Sequence, residues 1–450
     1  MPHDLLSHMH PNGTPCRARW SSIGGPALRL GRALAVLGPL VMAPVALRAQ
    51  QAPAPTAAQL DSIRQRLDDA EAAVQALREQ LATEASTALR TRSRVSLEFT
   101  GRALMHVVWN DASTNNVDVP TFARDATVLP EGGLAMTIRQ TTLGLAFTAT
   151  EIAGGTFHGD LDADFYGGQQ PSSGGRTFPL VRLRTARGTL EWAKGSVMIG
   201  QEQPLITGVD PVSLASVGVP GFTAAGNLWL WLPQIRGGIH TGGPVRFGLE
   251  GAVLAPTSGD PADPFDTQFD PAERTRKPYV QAQVRMDWGE EERRGAVTLG
   301  MHLGTLFNPA GAEVSSEAVA ATVRLPLGKR LELRGEAFDG QALRGLGGGG
   351  IAQGIGAVGV PVRTRGGWGQ INLQATSRLL VGAGAGFDDP EDADVTGGGR
   401  TKNSTTEVHA HWRPAGPLVL GVEWRQSRTD WRVVGVQSNN HLNLALGFEF

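Results

Sequence analysis

The chain has 450 residues, of which 41% are hydrophobic and 19% are charged. It can therefore bury a large core, which excludes an intrinsically disordered protein. The formal net charge of −2 argues against a nucleic-acid-binding protein. After residue 49 no apolar run is long enough for a membrane-spanning helix. The single cysteine, Cys16, excludes an internal disulfide and a cysteine-rich metal site.

The first 49 residues have the pattern of an export signal. Arg29 and Arg32 precede an apolar stretch over residues 33–47, and Ala49 supplies a small residue at the expected cleavage point. A membrane anchor is the alternative, but this stretch is short and contains two prolines. We therefore predict that residues 1–49 are a signal peptide.

A helix is predicted within the segment 50–93, after a short Pro/Ala spacer. Its apolar residues are spaced alternately three and four apart, which is the heptad seam of a coiled coil. The seam residues predicted to mediate oligomerisation are Leu60, Ile63, Leu67, Val74, Leu77 and Leu81, with Ala70 completing the repeat. A lone helix of this length is marginal in water, so the stripe needs a partner. Packing on its own domain is the alternative to self-association, and the seam does not choose between two, three and four strands.

From about residue 94 the period of the apolar residues becomes two and stays two to the end. In the last segment Leu442, Leu444 and Leu446 alternate with polar His441 and Asn443. Such alternation predicts strands with one apolar and one polar face. We count about sixteen such segments, with weaker ones near 196–203, 227–235 and 313–325.

The gaps between these segments alternate between long and short. The long gaps fall at 111–133, 167–177, 204–226, 256–277, 339–364 and 388–400. An up-and-down meander with long loops at one end is typical of an outer-membrane barrel. Soluble β-sandwiches or a propeller would not alternate their gaps in this way. The predicted fold is therefore all-β: a transmembrane up-and-down antiparallel β-barrel of about 16 strands over residues 94–450, preceded by the short coiled-coil helix.

The chain ends in Phe450, which closes an amphipathic strand. This ending resembles the signal by which the outer-membrane assembly machinery recognises its clients. Together with the export signal, it predicts a protein of the bacterial outer membrane whose partners are this machinery and the membrane lipid.

Several short motifs resemble one family of porins. Residues 138–144, which contain Arg139 and Gln140, resemble the early Arg-Gln strand of the trimeric DcaP-like porins. Residues 182–188 resemble that family's Arg-Leu-Arg strand, and residues 199–201 resemble its returning Gly-Gln strand. The phosphate-selective porins resemble the same layout, including the N-terminal coiled coil. The resemblance implies a homotrimeric channel whose inward arginines attract anionic solutes.

Charged residues on the polar faces of the strands are the candidates for a pore lining. They are Arg139, Asp160, Asp162, Asp164, Arg182, Arg184, Arg246, Glu250, Arg285, Asp287, Glu332, Arg334, Glu336, Glu423 and Arg425. Both signs occur, so these residues indicate neither a purely anionic nor a purely cationic pore. Each could instead form a cross-strand ion pair that stiffens the wall. The sequence leaves open whether the arginines on either side of the acidic stripe at 160–164 are free or paired with it.

Residues that could support other chemistry are few. The acidic stripe could bind calcium, but the EF-hand spacing is absent, and His409 and His411 lack an evident third metal ligand. No nucleophile elbow or zinc-protease motif occurs, so we predict no enzyme, metal or cofactor. The predicted function is a porin for passive diffusion of small polar solutes, with anions such as dicarboxylates as candidates. The alternatives are a phosphate- or anion-selective porin and a structural or adhesive barrel without an open channel.

Overall fold

The computed structural model describes Gln65 and residues 95–450, except 126–130, 168–178, 261–267, 291–292, 351, 357–358 and 396. The predicted signal peptide and the predicted coiled-coil seam lie outside the described residues. Among the described residues, no helix has the length and apolarity needed to cross a membrane.

The described part of the chain consists mainly of antiparallel strands. In chain order they are β1 (Val95–Asn110), β2 (Gly133–Thr137), β3 (Thr142–Ile152), β4 (Gly155–Asp164), β5 (Arg182–Trp192), β6 (Gly195–Glu202), β7 (Leu232–His240), β8 (Val245–Leu254), β9 (Tyr279–Trp288), β10 (Gly295–Phe307), β11 (Glu313–Leu327), β12 (Leu331–Gln341), β13 (Arg363–Gln374), β14 (Leu379–Pro390), β15 (Arg400–Trp412), β16 (Leu418–Trp431) and β17 (Gly435–Glu449). Short 3-10 helices lie in the loops, at Glu273–Thr275, Leu343–Leu346, Gly348–Gly350 and Asp392–Asp394.

These strands close into one barrel. From β3 to β17 each strand pairs with the next along the chain, and β1 pairs on one side with β2 and β3 and on the other with β17. The short β2 and the longer β3 pair one after the other with β1, so they are two parts of one strand of the wall. The barrel therefore has 16 strands, which confirms the predicted antiparallel barrel and its strand number.

The side chains of the wall have the polarity of a membrane barrel. On β17, Leu442, Leu444 and Leu446 are 37–42% exposed, whereas the alternating residues His441 and Asn443 are each at most 1% exposed. Apolar side chains thus point outward and polar ones inward, the reverse of a soluble core. A closed wall leaves no sheet edge unpaired, which is the condition for strands to span a bilayer.

The junction between β1 and β17 is closed by Phe450. The amide of Phe450 donates to the Gly101 carbonyl (3.0 Å), and the Gly101 amide donates back to the Phe450 carbonyl (2.8 Å). The ring of Phe450 stacks on Phe99 at 6.2 Å. A Cβ at position 101 would lie 2.5 Å from the Phe450 ring and 2.9 Å from the Thr142 carbonyl oxygen, so only glycine fits there.

The connections follow the predicted alternation of long loops and short turns, except that residues 308–312 and 432–434 form short connections on the long-loop side. The weak strand predicted near 227–235 is present but shifted: residues 227–231 belong to the preceding loop, and β7 runs from Leu232 to His240. Gly237 and Gly238 interrupt the apolar pattern there without ending the strand, because the ladder to β6 continues through them.

The connection between β6 and β7, residues 203–231, folds into the barrel and is called the inner loop. Almost all of its residues are buried. Its ends, Leu205, Ile206 and Leu228, pack with Leu343 and Leu346 of the loop that joins β12 to β13. The same cluster includes inward apolar side chains of the wall, such as Leu254, Tyr279 and Phe338, so the ends of the inner loop pack on an apolar patch of a wall that is otherwise mainly polar.

The middle of the inner loop also carries apolar anchors on the wall. Phe222 stacks on Trp368 of β13, with the ring centroids 5.5 Å apart. Leu214 and Val217 pack against Val419 of β16. These contacts lie on strands far from β6 and β7 in the barrel order, so the inner loop crosses the interior.

Candidate pore interior

The charged residues predicted to line a pore all lie on the inner side of the wall. On β5, for example, Leu183 is 50% exposed on the outside, while Arg184 next to it is 1% exposed. The same alternation applies to the other predicted residues, namely Asp160, Asp162, Asp164, Arg182, Arg246, Glu250, Arg285, Asp287, Glu332, Arg334, Glu336, Glu423 and Arg425, and Arg139 points inward from the break between β2 and β3.

The arginines of β5 face the acidic stripe of β4. Arg182 donates through Nε to Asp164 (3.1 Å), and Arg184 lies 3.0 Å from Asp162. The strands are neighbours, with a register shift beside Asp162. Close ion pairs of this kind offset the charge of both partners. The geometry thus favours the ion-pair alternative for these arginines over free guanidinium groups.

Arg187 of β5 is an inward arginine that the sequence analysis missed. Its Nε donates to Asp160 (2.7 Å), and its guanidinium also contacts Glu202. Arg187 is three residues after Arg184, so a strict period of two places it outside. The register shift between β4 and β5 is what brings it to the inner side.

Arg139 lies in the break that separates β2 from β3. Its Nε donates to Asp118 in the loop after β1 (2.8 Å), and its guanidinium lies 4.1 Å from the centroid of the Tyr166 ring. Arg139 is 9% exposed and Asp118 is fully buried. This arginine therefore holds two loops to the wall through an ion pair and a cation–π contact.

Arg236 of β7 is an inward arginine bonded to neutral groups. It donates to the Gln203 carbonyl and to the Gln234 side chain, each at 2.9 Å. Glu250 of β8 attracts it at longer range. No ion pair joins Arg236 to a carboxylate among the described residues. The positive charge of Arg236 is thus less compensated than that of the β5 arginines.

Further along the wall the charges again occur in pairs. Arg285 lies 2.7 Å from Asp287 on β9. Glu332 of β12 accepts from Arg324 of β11 (2.7 Å) and also contacts Arg334. Inward charges of opposite sign lie beside one another here, so this part of the wall has little net charge.

Glutamine side chains hold the inner loop to opposite parts of the wall. Gln370 of β13 binds both the amide of Val212 (2.7 Å) and its carbonyl (2.9 Å). Gln140, in the break between β2 and β3, donates to the Ala215 carbonyl (2.8 Å) and accepts from the Val217 amide (2.7 Å). Each glutamine replaces the hydrogen bonds that a neighbouring strand would otherwise provide.

A buried charged group on β15 and β16 binds the same part of the inner loop. Ser213 donates to Glu423 (2.5 Å), and Ser216 accepts from Arg425. Arg425 lies 2.5 Å from Glu423 and 3.3 Å from Glu407. The predicted pore residues Glu423 and Arg425 are therefore also anchors of the inner loop.

Two charged residues of β12 complete the attachment. Glu336 accepts from the Leu228 amide (3.1 Å), and Arg334 donates to the Asp210 carbonyl (3.1 Å). The wall strands that hold the inner loop thus include members on several sides of the barrel.

The histidines considered for metal binding lie side by side on β15. The rings of His409 and His411 stack with their centroids 4.8 Å apart, and both are buried. No group of three or more potential metal ligands is brought together in the described part of the chain. The aspartates considered for calcium are those that face the β5 arginines.

Comparison with solved structures finds outer-membrane barrels with the same architecture. The outer membrane channel DcaP of Acinetobacter baumannii superposes with a TM-score of 0.63 at 16% identity, over 81% of this chain and 100% of that chain. The barrel described here has the DcaP-like porin fold. The sequence resemblance to DcaP-like porins is confirmed at the level of the fold.

Two other porins show the same fold at lower similarity. An anion-selective porin from Comamonas acidovorans has a TM-score of 0.52 at 14% identity, over 79% of this chain and 100% of that one. OprB of Pseudomonas putida has a TM-score of 0.50 at 9% identity, over 79% and 94%. No family model and no curated protein sequence matches the chain.

Proposed function

We propose that this protein is a porin of the bacterial outer membrane, through which small polar solutes diffuse passively. The observation that carries the proposal is a closed 16-strand barrel with an apolar exterior, a charged inner wall and a loop folded inside it. Barrels of this size are wide enough to hold water, and their inner residues set selectivity. The porin fold of the solved relatives supports the same function.

Single-channel recording in a planar lipid bilayer tests this proposal. The purified full-length protein should produce stable open steps whose size rises with salt concentration. A barrel that inserts and never conducts would favour the structural or adhesive alternative. In that alternative the long loops at one end of the barrel would bind a partner, and no contact of the described residues favours this role over a channel.

We propose a weak preference of the channel for anions, in which Arg236 contributes more than the paired arginines. Uncompensated charge in a region of low dielectric constant acts on a passing ion more strongly than an ion pair does. The Comamonas relative is named as an anion-selective porin, which supports this direction. Dicarboxylates and phosphate both have the required charge, and a guanidinium can bind either one with two hydrogen bonds.

Replacing Arg236 with Gln should move the reversal potential in a salt gradient toward that of a cation-selective channel. The glutamine removes one positive charge and keeps a hydrogen-bond donor for the Gln203 carbonyl. Arg236→Lys, which keeps the charge, is the matched control and should retain the wild-type potential. An unchanged potential in Arg236→Gln would remove this residue from the selectivity of the channel.

We also propose that the chain assembles as a homotrimer and that the predicted seam from Leu60 to Leu81 contributes to it. Deleting residues 50–90 should then weaken the oligomer without unfolding the barrel, because the strands described over residues 95–450 already close the wall by hydrogen bonds to one another. Native mass spectrometry in mild detergent measures the oligomer, and a heat-modifiability gel measures the barrel. An oligomer that survives the deletion would show that the barrel walls suffice for assembly.

Export through residues 1–49 and delivery by the outer-membrane assembly machinery remain part of the proposal. The contacts of Phe450 support delivery by this machinery, because the residue that resembles its recognition signal is also the one that bonds to β1.

A further inference from the structure

A groove of about 740 Å³ lies on the outer face of the barrel, at the long-loop ends of β10 to β14. Part of its lining is apolar: Met301 and Leu303 of β10 and Val319 of β11 are outward side chains, 46–55% exposed. The groove therefore faces the surrounding membrane and not the interior of the barrel. Its volume lies within the range of small-molecule sites, which is about 300–1,000 Å³.

Two carboxylates without partners border this apolar part. Glu317 lies two residues before Val319 on the outer face of β11, and Asp339 of β12 is the ladder partner of Val319. Both side chains are exposed, and neither forms a hydrogen bond or an ion pair with another described residue. A carboxylate beside lipid needs water or a positive group to remain charged. This side of the groove therefore favours a cationic group.

Basic side chains lie on the other side of the groove. Arg365 of β13 is the ladder partner of Asp339, and its side chain is 70% exposed. Arg365 donates through one Nη to Asp389 of β14 (3.3 Å), and Lys402 of β15 lies 3.5 Å from the same carboxylate. The two cations share one anion, which leaves one positive charge in excess and the other N–H donors of the guanidinium exposed. This side of the groove therefore favours an anionic group.

The remaining charged groups of the lining make an anion alone a poor ligand. Arg363 already donates to Asp394 through two nitrogens (2.7 and 3.1 Å). Glu391 and Asp392, in the loop after β14, add two exposed carboxylates at the rim. Carboxylates thus outnumber guanidinium groups along the groove, and an anionic ligand without a positive charge would meet net repulsion.

A ligand for this groove consequently needs an ammonium group, an anion close to it and an apolar part. Ladder partners on antiparallel strands are about 5 Å apart at Cα, so two headgroup charges joined by a short linker can reach both Asp339 and Arg365.

We propose that the groove binds a zwitterionic phospholipid with a primary amine in its headgroup, such as phosphatidylethanolamine. The ammonium group binds Asp339 and Glu317, and the phosphate binds Arg365 and Lys402. The acyl chains contact the apolar side chains of β10 and β11. The inference rests on the proposed position of the outer wall in a membrane and does not involve conduction through the channel.

Native mass spectrometry of the full-length protein in mild detergent tests the site with three dioleoyl lipids. Phosphatidylethanolamine should be retained saturably, with about one molecule per chain. Phosphatidylglycerol keeps the phosphate and lacks the ammonium group, whereas dioleoyl trimethylammonium propane is cationic and lacks the phosphate. Each of these two should bind at least about tenfold more weakly, as expected for the loss of one charge-assisted interaction. Equal retention of all three lipids, or no saturable retention of phosphatidylethanolamine, would overturn the proposal.

The variants Asp339→Asn and Arg365→Gln assign the two headgroup contacts. In Asp339→Asn the preference for phosphatidylethanolamine over phosphatidylglycerol should fall several-fold. In Arg365→Gln the preference over the trimethylammonium lipid should fall several-fold. Glu290→Gln and Lys329→Gln are the matched controls, because these residues are exposed in short turns at the opposite end of the barrel, and both should keep the wild-type preferences.

A heat-modifiability gel verifies that each variant barrel is folded. Wild-type preferences in folded Asp339→Asn and Arg365→Gln would place the lipid elsewhere and overturn the assignment.

Val319→Trp tests the apolar part by filling the groove with a larger side chain, and it should lower the retention of phosphatidylethanolamine. Val253→Trp is its matched control, because Val253 is 48% exposed on the outer face of β8 and does not line the groove. An altered oligomer mass in Val319→Trp with unchanged lipid retention would identify the groove as a contact between copies of the chain. That result would also overturn the proposal.

Lipid retention and conductance separate this proposal from the proposed function. A protein that conducts and retains no phosphatidylethanolamine keeps the porin and loses the lipid site. A protein that retains the lipid and never conducts keeps the lipid site and loses the porin.

Discussion

Replacing the inner loop with a short turn should raise the single-channel conductance several-fold. The inner loop is held by β12, β13, β16 and the break between β2 and β3, so it occupies the interior between opposite walls. Glu202 and Leu232 are directly paired across β6 and β7. A Gly/Ser turn of about four residues can therefore join these strands in place of residues 203–231.

The barrel should survive this replacement, because every wall strand keeps its neighbours and the closure of the wall lies elsewhere. The control is a replacement of the exposed residues 309–311, between β10 and β11, by two glycines. That connection is hydrogen-bonded within itself, from the Asn308 amide to the Ala312 carbonyl (2.9 Å). The control should conduct as the wild type does. A folded barrel without the inner loop that has wild-type conductance would show that the current path avoids this loop.

Replacing Leu444 with Arg should prevent stable insertion of the barrel. Leu444 is 42% exposed on the outer face of β17, with apolar Leu442 and Leu446 on either side. An arginine at the midplane of a bilayer costs roughly 2–4 kcal/mol, and the cost falls to about 0–1 kcal/mol near the interface. A heat-modifiability gel after refolding into lipid vesicles measures the folded fraction.

Val436→Arg is the matched control for this substitution. Val436 lies on the same strand and the same face and is 50% exposed, but it pairs with Asp430 near the long-loop end. We expect Val436→Arg to insert as the wild type does. Equal damage from both substitutions would mean that depth in the bilayer does not decide the outcome.

The inward residue Asn443 shows why sequence periodicity alone is a weak guide to tolerance. Periodicity correctly places it on the inner face. In the structure Asn443 is fully buried, its Oδ1 lies 3.0 Å from His106, and it borders the small space beneath Leu214 of the inner loop. An arginine there would collide with the loop, so an inward position is not equivalent to a solvated one.

Much of the wall could be predicted because a barrel strand is a local pattern. The alternation of Leu442, Leu444 and Leu446 with polar residues needs no knowledge of the partner strand. Arg187 and Arg236 were missed for local reasons as well. A register shift changes the side on which Arg187 lies, and two glycines hide the continuation of the strand beyond Arg236.

The position of the inner loop could not be predicted from local pattern. Its anchors are far away in sequence: Val212 is 158 residues from Gln370, and Ser213 is 210 residues from Glu423. One signal was nevertheless present. The gap at 204–226 contains Leu205, Ile206, Leu214 and other apolar residues, and a loop exposed to water would be more polar. The pairing of the β5 arginines also required the structure, because spacing alone does not distinguish a free arginine from one with a partner.

The seating of the inner loop has a consequence for how the chain acquires its native state. The inner loop comes early in the chain, but its partners on β13, β15 and β16 come more than a hundred residues later, and β1 pairs with residues 441–449 of β17. Contacts of such long range are formed late, because the entropy of closing large loops must be overcome first. We therefore expect docking of the inner loop and closure of the wall between β1 and β17 to come late in folding. A truncated chain that lacks β16 and β17 would lose the Glu423 and Arg425 partners of Ser213 and Ser216, and β1 would lose one of its neighbours, so we expect it to leave both the inner loop and the wall incompletely bonded.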